Sequence, residues 1–183
     1  MMPEARKAIR EGYSPSPFFF SQEYVPGKIR WVAWTASLPK LKELFYHVLG
    51  SFPEDVQILL KLQMAERADP DTGPWKRYHG SSSLKTLRAV IEENECQIFL
   101  DGGSQLCLMC GEGGDYFALD EHGIFFLYAD AEGIRDVFVE LGFEHRQEKL
   151  ITEDVHWHYR PGANEKWQPF IEQLGLQVVG DSP

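Results

Sequence analysis

The sequence predicts an α+β fold, in which about four helices pack largely on one face of a mainly antiparallel sheet. Three observations support this class. Segments with strand and helix patterns do not alternate strictly along the chain, as they do in parallel α/β proteins. Short apolar segments in the middle of the chain are joined by glycine-containing turns, which is typical of hairpins. Helical spacing of apolar residues occurs on both sides of these hairpins.

Length and composition indicate one globular domain with an arm. The 183 residues are 43% hydrophobic and 25% charged, which is ordinary for a folded protein. We expect an N-terminal arm over residues 1–30 and a single α+β domain over residues 31–183. Prolines interrupt the arm, although residues 3–11 are compatible with a short helix. The adjacent Phe18–Phe20 should pack onto the body of the domain or onto a second subunit, so a homo-oligomer joined through the arm is one prediction.

The first elements of the domain follow clear periodicities. Residues 31–36 predict a strand, and Ser37 offers a hydroxyl to cap the helix predicted after it. Apolar residues then recur at helical spacing as far as Leu49. Strict alternation follows, because the apolar Val56, Ile58, Leu60, Leu62 and Met64 are separated by Gln57, Lys61 and Gln63. This alternation predicts a strand with one buried face.

The middle of the chain predicts a loop, a helix and two hairpins. Residues 66–83 hold Pro, Gly and three adjacent serines, which predict a long loop. A second helix with Leu84 to Ile91 on its inward face follows. Residues 96–100 and 105–109 predict a first pair of strands, and residues 116–119 and 124–128 predict a second pair around Gly123. The remaining predicted elements are a helix over residues 134–141, strands over 143–151 and 155–159, a helix that begins after Asn164, and an edge strand over 176–179.

Acidic residues are concentrated in one stretch of the chain. The sequence holds 28 acidic and 18 basic residues, and residues 91–150 hold 14 of the acids with only three bases. This balance argues against a nucleic-acid partner, because neutralising phosphates requires clustered Lys and Arg. It favours a basic protein partner, although a well-solvated acidic surface is the simpler interpretation. The candidate partner surface comprises Glu92, Glu93, Glu95, Glu112, Asp115 and Glu121.

The three cysteines predict a reducing compartment. Their odd number, in a chain without an apparent leader, favours free thiols and a cytoplasmic location. No apolar run is long enough to span a bilayer, so membrane contact is not expected. Cys107 and Cys110 supply only half the ligands of a zinc site, and alternation along a strand would place the two thiols on opposite faces. No metal or cofactor is therefore predicted.

The densest group of reactive side chains lies at residues 154–160. As a strand, this segment places Asp154, His156, His158 and Arg160 on one face. Two histidines at this spacing beside an acid have the ligand types of a metal site, and Arg160 favours an anion. A polar sheet face in water is the simpler alternative.

Two further groups have weaker chemical patterns. Asp120, Glu121 and His122 lie at a predicted hairpin tip, where Asp120 and His122 could join the histidine face if the strands are neighbours. Turn chemistry explains the same residues more simply. Residues 75–80 interleave aromatic and basic side chains within the predicted loop, a pattern that either clamps a nucleotide or anchors a surface loop.

The sequence therefore favours a binding protein that acts by contact over an enzyme. One concrete form is a bacterial immunity protein or antitoxin that inhibits a basic partner. The alternatives are a metal-assisted hydrolase or small-molecule enzyme that uses Asp154, His156 and His158, and a homo-oligomeric structural protein.

Overall fold

A computed structural model describes most of the chain. The described residues are 7–9, 16–26, 28–63, 75–110, 115–128, 133–146, 155–157 and 163–179. Within these ranges, every helix is too short or too polar to cross a lipid bilayer.

The described ranges contain eleven strands and five α-helices. The strands are β1 (Lys7–Ile9), β2 (Phe18–Val25), β3 (Lys28–Trp34), β4 (Asp55–Gln63), β5 (Trp75–Ser83), β6 (Ser104–Cys110), β7 (Asp115–Leu119), β8 (Phe125–Tyr128), β9 (Glu144–His145), β10 (Val155–Trp157) and β11 (Gln177–Val178). The helices are α1 (Leu38–Gly50), α2 (Leu84–Glu93), α3 (Glu95–Leu100), α4 (Ile134–Glu140) and α5 (Gln168–Gln173). A 3₁₀ turn over Ala163–Trp167 leads directly into α5.

Nine of the strands form one sheet, in the order β11-β5-β4-β6-β7-β8-β3-β2-β9. Neighbouring strands are antiparallel except β2 and β9, which run parallel. The predicted α+β class with a mainly antiparallel sheet is confirmed. β1 and β10 pair with each other in a separate two-stranded sheet, so Lys7–Ile9 is a strand and not part of a short helix.

Strand β4 lies inside the sheet, between β5 and β6, and its side chains alternate largely as predicted. Val56, Ile58, Leu60 and Leu62 are at most 2% exposed. On the other face Gln57 is exposed and Lys61 is half-buried, but Gln63 is buried, contrary to the prediction. The inward residues of β4 join a large cluster to which all five helices contribute buried side chains.

Helix α1 begins where the sequence predicts. The Oγ atom of Ser37 accepts a hydrogen bond from the backbone N–H of Lys40 at 3.4 Å. A serine in this position satisfies a donor that the helix itself cannot pair. The apolar side of α1 then lies against the sheet through buried residues at helical spacing, namely Leu41, Leu44, Phe45, Val48 and Leu49.

The three adjacent phenylalanines pack within this chain. Phe18, Phe19 and Phe20 are 7%, 0% and 8% exposed and belong to β2. Phe19 stacks on Phe138 of α4 with ring centroids 4.8 Å apart. Because side chains alternate along a strand, the other two rings point to the opposite face, where they form a second cluster. Its other buried members are Val32, Trp34 and Ile124.

Two segments form elements other than those predicted. Residues 75–83 form β5 instead of a loop and pair with β4 along its whole length. A side chain at Gly80 would place its Cβ 2.7 Å from Cδ2 of Leu176, so the Leu176 side chain would have to shift to admit it. Residues 95–100 form helix α3 instead of a strand, and β6 pairs with β4 and β7. The adjacent residues Ile98 and Phe99 are both buried, which is compatible with a helix packed on one side.

Candidate functional site

The C-terminal end of α2 carries the largest group of predicted surface acids. Glu92 and Glu93 occupy the last turn of α2, and Glu95 begins α3 two residues later. The last turn of α2 contains no basic residue. A helix has a partial negative charge at this end and is stabilised by cations there, so glutamates are locally unfavourable. The fold therefore places Glu92 and Glu93 at the end of α2 that the helix dipole does not favour.

The carboxylate of Glu95 contacts two side chains of helix α1. This carboxylate forms an ion pair with the Nζ of Lys42 and accepts a hydrogen bond from the hydroxyl of Tyr46 at 2.9 Å. Burial alone would raise the pKa of Glu95, but the hydrogen bonds from Lys42 and Tyr46 and the charge of Lys42 hold the pKa below its usual value. Burial, together with the hydrogen bond to Glu95, raises the pKa of Tyr46 far above its usual value. This carboxylate joins α1 to α3.

Helix α5, which carries a further glutamate, lies beside α2. Gln173 donates a hydrogen bond from Nε2 to Oε2 of Glu93 at 2.9 Å, which places α5 beside α2. Asn94 donates from Nδ2 to Oε1 of Gln173 at 3.3 Å. The exposed Glu172 accepts a hydrogen bond from Gln168 at 2.7 Å. We call Glu92, Glu93, Glu95 and Glu172 the acidic helix surface.

The sequence analysis did not identify Glu172, because this residue lies outside the acidic stretch 91–150. The packing of α5 beside α2 is a tertiary contact that the sequence pattern does not show. Among the residues that the structure describes, the cations that pair with this surface are Arg88, which lies 3.0 Å from Glu92, and Lys42. The partners of Glu93 and Glu172 are neutral amides, which fix the carboxylates without cancelling their charge.

The hairpin tip between β7 and β8 is organised as a turn. Asp120 Oδ1 accepts hydrogen bonds from the backbone N–H groups of His122 at 2.9 Å and Ile124 at 2.7 Å. Gly123 adopts a φ of +76°, as the predicted turn requires. Oε2 of Glu121 accepts a hydrogen bond from Gln105 at 2.6 Å, while Oε1 of Glu121 lies 3.7 Å from Nε2 of His122. Because Gln105 alternates with the buried Leu106, Glu121 lies on the face of the sheet opposite to the large cluster.

The remaining predicted acids do not extend the acidic helix surface. Glu112 lies outside the described residues. Asp115 begins β7 opposite Cys110, and Asp120 follows the other end of that strand. Strand geometry separates these two positions by about 17 Å. The predicted partner surface is therefore divided among the helix layer, the hairpin tip and the far end of β7.

The histidine face is described at one position only. His156 lies in β10, where its backbone is opposite Ala8 of β1. Asp154, His158 and Arg160 lie outside the described residues, so their placement on a common face stays a prediction. Among the residues that the structure describes, no three His, Cys, Asp or Glu side chains come together as metal ligands.

The two strand cysteines point to opposite faces of the sheet. Cys110 packs against the large cluster, whereas Cys107 alternates with the buried Leu106 and Leu108 and faces the other side. A shared metal between these two thiols is incompatible with that geometry. All three cysteines are free thiols. Burial raises the pKa of Cys107; the charge of Asp120 also raises it, and the charge of Lys61 lowers it.

The aromatic and basic residues of segment 75–80 belong to strand β5, so every second side chain lies on the same face of the sheet. Trp75, Arg77 and His79 alternate with the buried Tyr78 and therefore lie on the sheet face opposite to the large cluster. Lys61 of β4 is directly opposite Arg77 on this face. We call Lys61, Trp75, Arg77 and His79 the cationic strip. The sequence predicted the residue types but placed them in a loop.

The chain matches no protein family model, no curated protein and no solved structure.

Proposed function

We propose that the protein binds a basic protein partner by contact, through the acidic helix surface. The observation that supports this proposal is the state of Glu93 and Glu172. Both carboxylates accept hydrogen bonds from glutamine side chains, and neither forms an ion pair with a Lys, Arg or His that the structure describes. They are therefore held in position while their negative charge remains available to a partner.

Carboxylates of this kind suit a lysine or arginine from another protein. Because the two glutamates are already positioned, less conformational entropy is lost when a cation binds to them. A net charge of −10 adds long-range attraction for a basic partner and speeds the encounter. Two acids at the unfavourable end of α2 are also stabilised when a partner supplies positive charge. A bacterial immunity protein or antitoxin that inhibits a basic toxin is one concrete form, and a cytoplasmic location stays a prediction.

The proposal is tested by capture from the native cell with matched charge variants. Glu93→Gln combined with Glu172→Gln removes the two available charges. Asp55→Asn combined with Glu140→Gln removes two exposed charges elsewhere and serves as the control. We expect the natural protein and the control to be cross-linked to the same strongly basic protein, and the first variant to lose it. Equal recovery of that protein by all three forms contradicts the proposal.

Neither alternative function gains a supporting observation. The phenylalanines that suggested an oligomer are buried within one chain. Most of the proposed metal ligands lie outside the described residues, and His156 is described only through its strand pairing.

A further inference from the structure

We propose that the cationic strip on the outer face of β4 and β5 binds a mononucleotide, with its phosphate held by Lys61 and Arg77 and its base against Trp75. This site is independent of the acidic helix surface. The inward residue Tyr78 packs in the large cluster with the helices, so the strip lies on the opposite side of the sheet from α2 and α5.

The charge arrangement of the strip points to an anion. Lys61 and Arg77 are cross-strand neighbours with side chains on the same face. Like charges directly opposite each other in an antiparallel pair destabilise the sheet. Neither side chain forms a hydrogen bond or ion pair with a residue in the described ranges. An anionic group between the two cations removes their repulsion and adds charge-assisted hydrogen bonds.

The neighbours of these cations add the other features of a nucleotide site. Trp75 precedes Arg77 by two residues on the same face, which places their backbones about 7 Å apart along the strand. The Trp75 side chain is half-buried, so part of its surface is available for stacking with a base. The exposed His79 follows Arg77 at the same spacing, and its Nε2 lies 3.4 Å from Oε1 of Gln57. The imidazole of His79 adds a further hydrogen-bond donor beside the position proposed for the phosphate.

The size and setting of the strip favour a mononucleotide over a polymer. The strip comprises three residues of β5 within five positions and one residue of β4, so its run of cations is short. The chain as a whole has a net charge of −10, so a longer nucleic acid would be repelled beyond the strip. An acidic peptide would satisfy the two cations but offers no planar ring for Trp75. The aromatic side chain therefore selects a nucleoside phosphate.

Binding is measured by isothermal titration calorimetry on the full-length protein. The ligands are adenosine 5′-monophosphate, adenosine, inorganic phosphate and hexaglutamate. Lys61→Gln combined with Arg77→Gln removes the phosphate contacts, and Trp75→Leu removes the stacking surface. Lys85→Gln combined with Arg135→Gln removes two exposed cations elsewhere and is the matched control. Thermal unfolding of each variant verifies the fold, and the Lys61/Arg77 variant should be at least as stable as the natural protein because a repulsion is removed.

We expect the monophosphate to bind more tightly than each of the other three ligands. Its affinity should fall at least about tenfold in the Lys61/Arg77 variant and change by less than about twofold in the control. Trp75→Leu should weaken the monophosphate but leave the affinity for inorganic phosphate unchanged. The proposal is overturned if the natural protein does not bind the monophosphate at millimolar concentration, if the Lys61/Arg77 variant binds it equally well, or if phosphate or hexaglutamate binds as tightly.

Discussion

The indole Nε1 of Trp167 donates a hydrogen bond to Oδ2 of Asp101 at 2.6 Å, and both side chains are buried. Oδ1 of Asp101 accepts a second hydrogen bond from the backbone N–H of Gly103 at 3.1 Å. The contact joins the turn before β6 to the 3₁₀ turn that leads into α5. Because α5 carries Glu172 and Gln173, this buried hydrogen bond helps to position the acidic helix surface.

Loss of that hydrogen bond should destabilise the protein. Trp167→Phe removes the donor to a buried carboxylate and leaves a small cavity, which should lower the free energy of unfolding by about 2–4 kcal/mol. Trp75→Phe is the control, because Trp75 is half-buried and the described residues offer its indole no hydrogen bond. Urea unfolding followed by circular dichroism measures both variants. An equal decrease in the free energy of unfolding for both variants would show that the Trp167–Asp101 hydrogen bond does not contribute to stability.

The two faces of β4 should differ in their sensitivity to truncation. Leu60 is fully buried against the helices, so Leu60→Ala should cost about 2–5 kcal/mol. Leu59→Ala makes the same chemical change on the half-exposed outer face of the same strand and should cost less. The difference between the two free energies of unfolding checks the register of the strand. A larger loss for Leu59→Ala would mean that the opposite face is the buried one.

The ion pair of Glu95 should make the protein less stable at low pH. The pKa of Glu95 is lowered in the folded state, so its contribution is complete above the unfolded carboxyl pKa of about 4.3. That contribution disappears as the pH falls through the lowered pKa. Glu95→Gln should therefore reduce the free energy of unfolding at pH 7, and the gap to the natural protein should close as the pH falls below the lowered pKa of Glu95.

Glu92→Gln is the control for this pH dependence, because its pair with Arg88 is about half exposed and such pairs contribute little. Urea midpoints are compared for the three proteins across the pH range. If the urea midpoints of Glu95→Gln and the natural protein differ by the same amount at low and at neutral pH, that result would exclude the Glu95 carboxylate as the titrating group.

The thiols should react at different rates. Alkylation requires the thiolate, and burial raises the pKa of Cys107, whereas Cys96 is exposed on α3. Iodoacetamide at about pH 7.5 should therefore modify Cys96 before Cys107, as measured by mass spectrometry of tryptic peptides. Lys61→Gln removes a charge that lowers the Cys107 pKa and should slow that thiol further, whereas Lys85→Gln should not. Faster modification of Cys107 in the Lys61 variant would contradict the assigned electrostatics.

Periodicity predicted the elements whose buried face is determined by local pattern. The alternation in β4 and the helical spacing in α1 are examples, and Ser37 marks the start of α1 because its cap is a local interaction. The short run at residues 96–100 failed, because five apolar residues do not distinguish a strand from a helix. Phe18–Phe20 gave no alternation, since both faces of β2 are buried at that end.

Features that depend on distant contacts could not be predicted. Gly80 and the serines after it have the composition of a turn, but the space at Gly80 is determined by Leu176, almost a hundred residues later. The pairing of Lys61 with Arg77 needs the strand register, and the hydrogen bond of Gln173 to Glu93 needs the contact between α5 and α2. The sequence therefore identified acids and cations but not the surfaces that they form.

The most direct test of the proposed function is the salt dependence of association with the captured basic protein, followed by stopped-flow fluorescence. Charge steering is screened at a Debye length of about 8 Å in physiological salt. We predict that the association rate of the natural protein and of the Asp55→Asn/Glu140→Gln control falls steeply with ionic strength. The Glu93→Gln/Glu172→Gln variant should associate more slowly at low salt and show a shallower dependence. The same rate and slope for the variant and the control would contradict binding through the acidic helix surface.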